Sequence, residues 1–267
     1  MKSQPNGWML RIVFYTLICV NFTPFVPTYV LAQSDAGSSS IYESRFIVDM
    51  PTAGVLPKNT YCFDGTYFTN GGLLASFTIA PLKNLNLGIS YSGSNIIGSG
   101  DIKFQKWPGF LLNWRIIDET RSIPAILIGA NTQGRGEFIS RKSRYVTLSP
   151  GIYASASKSF RWAIGSFSWH TGLNYTFEQQ AGQHTPNFWI GFEHSIGAYG
   201  AFYFELNPNL ADKDRQLSTA SALLNIGTRW SIARGVTIEL KVRDLLENSR
   251  IHLGIERWAG ISYIRRF

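Results

Sequence analysis

The sequence predicts an all-β protein: a closed, antiparallel, up-and-down transmembrane β-barrel of about 12 strands. Three observations predict it. The chain is rich in Phe, Tyr, Trp, Gly and Ser and only 16% charged, which favours strands over helices and argues against disorder. Apolar and polar residues alternate over many segments, as in strands with one apolar and one polar face. Short and long connections alternate between these segments, as in outer-membrane barrels.

Residues 1–32 have the pattern of a secretory signal peptide. Lys2 and Arg11 flank a polar start, an apolar run follows from Ile12 to Val20, and small residues lie near Ala32, after which we expect cleavage. An uncleaved membrane anchor is the alternative, but this run is too short to span a bilayer core. After cleavage Cys62 is the one remaining cysteine, so the mature chain forms no internal disulfide.

The clearest strand is Leu85–Ser92, in which odd positions are apolar and even ones are small or polar. The same alternation returns over 202–207, 224–232 and 236–243. Weaker candidates bring the total to twelve, and together they make residues 60–267 an outer-membrane barrel with both ends on one side. The weaker candidates are 60–69, 72–80, 107–117, 123–132, 144–158, 162–175, 186–196 and 256–267.

The predicted connections alternate in length, with short periplasmic turns and longer outer loops. The first outer connection, Thr69–Gly72, is the short exception. The inner turns are predicted at Pro81–Asn84, Asp118–Ser122, Ser159–Arg161, Gly197–Ala198 and Arg234–Gly235. The outer loops are predicted at Gly93–Lys106, Gln133–Lys142, Glu178–Thr185, Asn209–Ser218 and Leu246–Leu253.

Residues 33–59 precede the first clear strand and are interpreted as an N-terminal periplasmic segment. This stretch could be a tail, an extra strand or a plug of the lumen. Residues 45–50 have enough apolar character to pack against something, and Pro51 then breaks the pattern.

The last strand carries an assembly signal. Tyr263 and the terminal Phe267 are similar to the C-terminal residues that the barrel-assembly machinery reads, although Arg265 stands where that signal usually has an apolar residue. We therefore expect the assembly machinery as a partner, together with outer-membrane lipid and lipopolysaccharide.

Tryptophans near predicted strand ends suit the aromatic girdles of a membrane barrel. A soluble β-sandwich also alternates, with its apolar face inside, so alternation alone leaves both folds open. The secretion signal and the terminal Phe267 favour the membrane barrel. The girdle candidates are Trp107, Trp114, Trp162, Trp189, Trp230 and Trp258.

Charged residues of both signs fall on the predicted inward faces. Because the Arg234–Gly235 turn is short, Arg229 should lie close to Glu239 and Lys241 across a hairpin. Such a network either locks a narrow interior or selects solutes by charge in a wider one, and a barrel of about 12 strands favours the lock. The predicted lumen-lining charged set is Asp64, Glu193, Glu205, Arg229, Glu239, Lys241 and Arg243.

No motif predicts an enzyme, a cofactor or a metal site. Ser168 and His170 share one face of a strand, but without a third catalytic partner they are interpreted as lumen-lining residues. The histidines lack metal-ligand spacing. The Lys and Arg residues are scattered rather than clustered, which argues against nucleic acid as a partner.

Several motifs resemble the YjbH-like barrels, a family of bacterial outer-membrane proteins that accompany exopolysaccharide production or are uncharacterised. The resemblance implies an outer-membrane barrel and an association with polysaccharide, whereas its motifs are structural rather than chemical. The motifs are Asp49-Met50-Pro51-Thr52-Ala53-Gly54, Asn70-Gly71-Gly72-Leu73-Leu74, Gly88-Ile89-Ser90-Tyr91, Asn95-Ile96-Ile97-Gly98, Ile123-Pro124-Ala125 with Gly129, Ser149-Pro150-Gly151, Ala156-Ser157-Lys158 and Arg243-Asp244-Leu245-Leu246.

Three functions remain open from the sequence. The first is a non-enzymatic outer-membrane barrel with a structural, passage or export role for a polar solute or polysaccharide. The second is a barrel enzyme that acts on lipid, and the third is a secreted soluble sandwich or ligand-binding barrel. The distribution of apolar and charged side chains between the two faces of the sheet distinguishes the third from the others.

Overall fold

The computed structural model describes residues 42–162, 165–179, 184–214, 216–217, 222–250 and 254–267. A single turn of 3₁₀ helix, Ser140–Lys142, interrupts an otherwise β structure in these ranges. The strands of the described residues are β1 Thr60–Phe68, β2 Gly72–Leu82, β3 Leu85–Ser94, β4 Lys103–Phe104, β5 Gly109–Ile117, β6 Ala125–Asn131, β7 Arg135–Ile139, β8 Arg144–Thr147, β9 Gly151–Trp162, β10 Gly165–Tyr175, β11 Asn187–Ile196, β12 Gly200–Asn207, β13 Leu223–Ala233, β14 Val236–Arg243 and β15 Glu256–Arg266.

Within the described part of the chain, twelve of these strands form one closed antiparallel barrel. Neighbours along the chain pair in the order β1, β2, β3, β5, β6 and then β9 to β15, and β15 pairs with β1 to close the ring. The predicted fold class and strand number are confirmed. Strand β4 adds two residues beside β3, and β7 and β8 form a separate hairpin.

Two predicted boundaries around β9 are wrong. The predicted strand over 144–158 is divided, because Pro150 cannot donate to a strand ladder and Gly151 has a φ of +67°. Residues 144–147 therefore belong to β8, outside the barrel. Residues 159–161, predicted as a turn, continue β9, and the connection to β10 falls on 163–164, outside the described residues.

The two faces of the sheet are the reverse of those of a soluble protein. Large apolar side chains such as Ile89, Phe110 and Trp114 are about half exposed on the outside, at 55%, 61% and 54%. Polar side chains such as Asn86 and Asn225 are buried on the inside. This arrangement excludes the soluble sandwich and is that of a β-barrel in the outer membrane, whose apolar band faces lipid.

The two ends of the barrel differ in the length of their connections. Short turns join β2 to β3, β11 to β12 and β13 to β14, whereas β3 to β5, β6 to β9 and β12 to β13 are joined by longer loops. Outer-membrane barrels have short periplasmic turns, which assigns the short-turn end to the periplasm. Both ends of the sheet lie there, since the Phe267 N–H donates to the Asn59 carbonyl at 3.0 Å.

The tryptophans divide between the two faces. Trp107, Trp114 and Trp230 are exposed on the outside, as an aromatic girdle requires. Trp189 and Trp258 are buried in the lumen, so their prediction as girdle residues is wrong. Trp258 alternates with the outward Arg257 and Ala259 on β15, and its ring lies under the Arg243 guanidinium at 3.8 Å. The side chain of Trp162 lies outside the described residues.

No helix in the described ranges is long and apolar enough to cross a membrane.

Candidate functional site in the lumen

A hairpin from the start of the described chain lies inside the ring of strands. We define residues 44–56 as the lumen hairpin. Phe46 and Pro51 form an isolated antiparallel bridge, and the Ile47 N–H donates to the Met50 carbonyl at 2.9 Å. Its backbone contacts inward side chains of β9, β12 and β13, on different parts of the wall. Of the predicted N-terminal segment 33–59, residues 33–41 lie outside the described residues, and the hairpin of the described part lies in the lumen.

The base of the lumen hairpin lies at the periplasmic end. Leu56 packs with Cys62, Ala80 and Ile264, which belong to the periplasmic ends of β1, β2 and β15, and Tyr42 packs against this cluster. An ion pair joins Glu43 to Arg115 of β5 at 2.5 Å, beside the same rim. The hairpin therefore enters the barrel from the periplasm and returns to it before β1 begins.

The tip of the hairpin is held by a buried carboxylate. Three successive backbone N–H groups, of Val48, Asp49 and Met50, donate to Glu205 Oε2 at 3.0, 2.9 and 2.8 Å. Converging N–H groups of this kind form an anion-binding concavity. Glu205 is completely buried, and its other oxygen accepts a hydrogen bond from Asn225. One wall carboxylate thus satisfies the donors of the whole turn.

The side chain of Asp49 joins the hairpin tip to the outer third of the wall. Arg243 donates to Asp49 from Nε at 2.8 Å and from Nη2 at 2.5 Å, and both side chains are almost fully buried. Arg243 also pairs with Glu256 of β15 at 2.5 Å. Arg135 of β7 lies 3.8 Å from Asp49. Asp49 is therefore a junction between the hairpin, the barrel wall and the β7–β8 hairpin.

Arg229 lies at the centre of the predicted network. It forms ion pairs with Glu193 at 3.2 Å and with Glu239 at 3.0 Å, its directly opposite neighbour on β14. Its Nη2 donates to the carbonyls of Phe46 and Ile47, both at 3.0 Å. Arg229 therefore ties three strands of the wall to the first arm of the hairpin.

The other predicted members of the network lie on the same inner surface. Lys241 pairs with Glu239 at 2.6 Å. Asp64 of β1 forms an ion pair with Arg45 of the hairpin at 2.7 Å and accepts a hydrogen bond from the Ser262 hydroxyl of β15. The structure thus brings all seven predicted charges to the lumen, but in separate groups joined through the hairpin.

Ser168 and His170 both face the lumen without contacting each other. His170 Nδ1 lies 2.8 Å from Ser157 Oγ, which also accepts the Ala53 N–H, and Ser168 donates to Ser159. His170 is completely buried, and Ser168 is 6% exposed. Ser168 is therefore neither accessible nor activated by His170, as the nucleophile of a hydrolase would be.

An apolar cluster also holds the hairpin. On the wall it contains the buried Leu127, Tyr153, Trp189 and Tyr203, and its hairpin members are Ile47, Val48, Met50, Ala53 and Val55. The hairpin contributes no strand to the barrel sheet in the described residues, so only side-chain contacts and hydrogen bonds to side chains retain it.

One small polar cavity lies between the hairpin and the wall of β1, β2, β14 and β15, and a second small cavity lies between the hairpin and the wall of β1, β2, β3 and β5. Their volumes are about 60 Å³ and about 40 Å³, which is room for a few water molecules and nothing larger. Arg45, Asp64, Ser76 and Arg135 line both of them. Neither of these two cavities can hold a sugar-sized solute.

The β7–β8 hairpin covers the outer mouth. Arg144 makes a bidentate ion pair with Asp212 at 2.7 and 2.8 Å, and Lys142 pairs with Asp214. Burial raises the pKa of Asp214, but the hydrogen bonds from Lys142 and from a backbone N–H outweigh it and hold this pKa below its usual value. Both contacts fix the β7–β8 hairpin to the β12–β13 loop.

The periplasmic turns carry their own ion pairs. Hydrogen bonds from Lys83 and Asn84 and the nearby charge of Arg115 lower the pKa of Asp118. Burial raises the pKa of Glu119, which pairs with Lys158 at 3.4 Å.

Tyr263 and Phe267 lie at the periplasmic end of β15. Their rings each contact the ring of Tyr61, with centroids 6.5 Å apart in both cases. Their role as an assembly signal stays a prediction.

Sequence reasoning missed Arg45, Asp49 and Glu256, which complete the lumen ion pairs. Arg45 and Asp49 could have been predicted, because they are two opposite charges in the otherwise apolar stretch 45–50. Charges in such a buried stretch are expected to be paired. Glu256 shares the inward face of β15 with Trp258, but the weak alternation of this strand hid it. No group of three or more His, Cys, Asp or Glu side chains in the described ranges could hold a metal ion.

No protein-family model matches the chain, and no curated protein matches it. Solved structures of outer-membrane proteins are similar to it, and they include the following three. The outer membrane protein Omp33 of Acinetobacter baumannii is 7% identical, with 78% of this chain and 97% of that chain covered and a TM-score of 0.44. The NanC porin is 9% identical, with 78% and 99% covered and a TM-score of 0.42. A loop L8 deletion mutant of OmpT, an outer membrane protein of Vibrio cholerae, is 7% identical, with 77% and 98% covered and a TM-score of 0.29.

Proposed function

We propose that the chain is a non-enzymatic outer-membrane barrel that passes or exports a polar solute, with the lumen hairpin as its gate. The observation that carries this proposal is the way the hairpin is held. It fills the lumen, yet it shares no strand pairing with the barrel. It can therefore leave without breaking a backbone hydrogen bond of the wall, whose closed sheet persists by itself.

The wall that the hairpin would leave behind carries both signs of charge beside the apolar cluster described above. Glu193, Glu205 and Glu239 alternate in the lumen with Arg229 and Lys241. A surface of mixed sign offers donors and acceptors without selecting one ionic charge, which suits a hydroxyl-rich solute. The resemblance to the YjbH-like barrels supports a polysaccharide as that solute.

Conductance in planar bilayers tests the proposal. The wild-type protein should show small or no conductance, and a variant with 44–56 replaced by a Gly/Ser linker should show stable open channels. Heat-modifiable gel migration establishes that both barrels are folded. A folded linker variant that remains closed would refute the gate. If this variant does not fold, Glu205→Ala, which removes the acceptor of three N–H groups, replaces it in the comparison.

A lipid-acting enzyme is the weaker alternative. The hydroxyl that lies next to His170 belongs to Ser157, which is fully buried and occupied by the hairpin backbone. A lipid ester has no route to it while the hairpin is in place. Hydrolysis of phospholipid that is lost in Ser157→Ala would favour the enzyme.

We also propose the partners that the sequence predicts. The assembly machinery would read Tyr263 and Phe267 on the outward face of β15, and lipopolysaccharide would contact the outer part of the apolar band. Impaired outer-membrane insertion of a Phe267→Ala variant, with an unchanged amount of exported protein, would support the first.

A further inference from the structure

The net positive charge of the described chain is concentrated at the periplasmic end. The lumen charges nearly cancel, as do the charges of the outer loops, so the excess lies at the short turns. Among the described residues this end has nine basic side chains and three acidic ones. They are Lys58, Lys83, Arg115, Arg121, Lys158, Arg161, Arg234, Arg265 and Arg266, with Glu43, Asp118 and Glu119.

The outer end of the described chain has almost equal numbers of the two signs. This end has eight basic and seven acidic residues, so its net charge is close to zero. They are Lys103, Lys106, Arg141, Lys142, Arg144, Lys213, Arg250 and Arg257, with Asp101, Glu137, Glu178, Asp212, Asp214, Asp244 and Glu247.

Seven of the periplasmic basic residues are exposed, and we call them the basic belt. They occupy the start of β1, the β2–β3, β5–β6 and β13–β14 turns, and the ends of β9 and β15, and so they surround most of the ring. The β11–β12 turn carries no charge. The basic belt consists of Lys58, Lys83, Arg121, Arg161, Arg234, Arg265 and Arg266.

Exposed apolar side chains stand beside the basic belt. Leu82 precedes Lys83, Ile232 lies two residues before Arg234, and Phe267 follows Arg265 and Arg266, with exposures of 56%, 61% and 66%. Long cationic side chains beside a lipid-facing apolar surface can extend their charges to the level of the headgroups. This alternation is therefore that of a membrane interface.

We propose that the basic belt binds the phosphates of anionic phospholipids in the periplasmic leaflet. Clustered Lys and Arg at a membrane surface attract anionic headgroups over about one Debye length, roughly 8 Å at physiological salt. Lipid surrounds the barrel on all sides, so it can contact every residue of a basic belt that surrounds most of the ring. A protein partner would need one patch on one side.

Spin-labelled lipids test the belt in the full-length protein reconstituted into phosphatidylcholine vesicles. The probes are traces of spin-labelled phosphatidylglycerol and phosphatidylcholine, and the measured quantity is the ratio of their association constants with the barrel. The wild-type protein should prefer phosphatidylglycerol, and high salt should reduce the preference. The triple variant Arg121→Gln, Arg234→Gln, Arg265→Gln should bring the ratio towards unity.

A matched control removes the same amount of charge from the outer end, with Lys106→Gln, Arg141→Gln and Lys213→Gln. This variant should keep the wild-type ratio. An equal decrease in both triple variants, or no preference in the wild-type protein, would overturn the proposal. If the belt variant does not show heat-modifiable migration, Arg234→Gln alone, in an exposed turn, should give a smaller decrease. Channel conductance does not enter this measurement, so its result is independent of whether the lumen hairpin acts as a gate.

Discussion

Arg243 of β14 donates hydrogen bonds from two of its nitrogens to Asp49 of the lumen hairpin, which lies 194 residues earlier in the chain. The pair is buried, and Arg243 is shared with Glu256. It connects the tip of the lumen hairpin to the wall at the point where the β7–β8 hairpin also approaches.

Breaking this pair should open the barrel. Arg243→Gln leaves Asp49 buried without its main partner, a loss that typically costs about 3–5 kcal/mol. We expect more frequent and longer openings in planar bilayers than for the wild-type protein. Lys103→Gln, which breaks the exposed pair with Glu137, is the control and should leave the conductance unchanged. Equal conductance in all three proteins would show that the pair does not hold the gate.

Arg229 should be the most sensitive basic residue for stability. Arg229→Ala removes one donor from each of two carboxylates and two hairpin carbonyls, so we expect a loss of about 3–5 kcal/mol. The temperature of the heat-modifiable gel shift measures it. Arg234→Ala, in an exposed turn, should change stability by less than about 0.5 kcal/mol. Similar shifts for both variants would contradict a central role of Arg229.

Two serines of the lumen should respond differently to the same substitution. Ser157→Ala removes the acceptor of the Ala53 N–H and the partner of His170, which should cost about 1–3 kcal/mol. Ser168→Ala breaks the hydrogen bond to Ser159, another side chain of the wall, and should cost less. Urea unfolding in detergent compares them. A larger loss for Ser168→Ala would mean that the hairpin backbone does not depend on Ser157.

Asp118 should make a pH-dependent contribution at the periplasmic rim. Its pKa is lowered in the folded protein, chiefly by the hydrogen bond from Lys83. The stabilisation is therefore present above the unfolded-state pKa, near 3.9, and is lost as the pH falls through the folded value. Asp118→Asn should lower the melting temperature at pH 7, and the difference should disappear as the pH falls through the lowered folded-state pKa of Asp118. A difference independent of pH would exclude this ion pair as its cause.

The β7–β8 hairpin should become accessible when its anchor is removed. Arg144→Ala breaks the bidentate pair with Asp212, so trypsin added to intact cells should cleave faster after Arg141 or Lys142. Arg257→Ala, on the outward face of β15, serves as the control. Unchanged cleavage of the Arg144 variant would indicate that other contacts suffice to fix the hairpin.

Much of the barrel could be predicted from the sequence because its pattern is local. Alternation over Leu85–Ser92 reports directly on the two faces of β3, and the Arg234–Gly235 turn fixes the register that sets Arg229 opposite Glu239. The prediction of Trp189 as an outward girdle residue is wrong, because a tryptophan near a strand end can lie on either face of the sheet and only the strand pairing decides which.

The contacts of the lumen hairpin with the wall could not be predicted in the same way. Its anchors Glu205 and Arg243 lie more than 150 residues from the hairpin tip, and no period in the sequence links them. The separation of β8 from β9 depends on Pro150 and Gly151. The alternation of apolar and polar residues continues on both sides of them, which is why a single strand was predicted.

The lumen hairpin directly precedes β1, and β1 pairs with β15, the last strand of the chain. Its anchors Glu205, Arg229 and Arg243 belong to β12, β13 and β14. The earliest part of the barrel chain is thus fastened by strands that are synthesised late, beside the seam where the ring closes. We therefore expect seam closure and insertion of the lumen hairpin to be coupled in biogenesis, because a barrel that closed around an empty lumen would have to admit the hairpin through its periplasmic mouth afterwards.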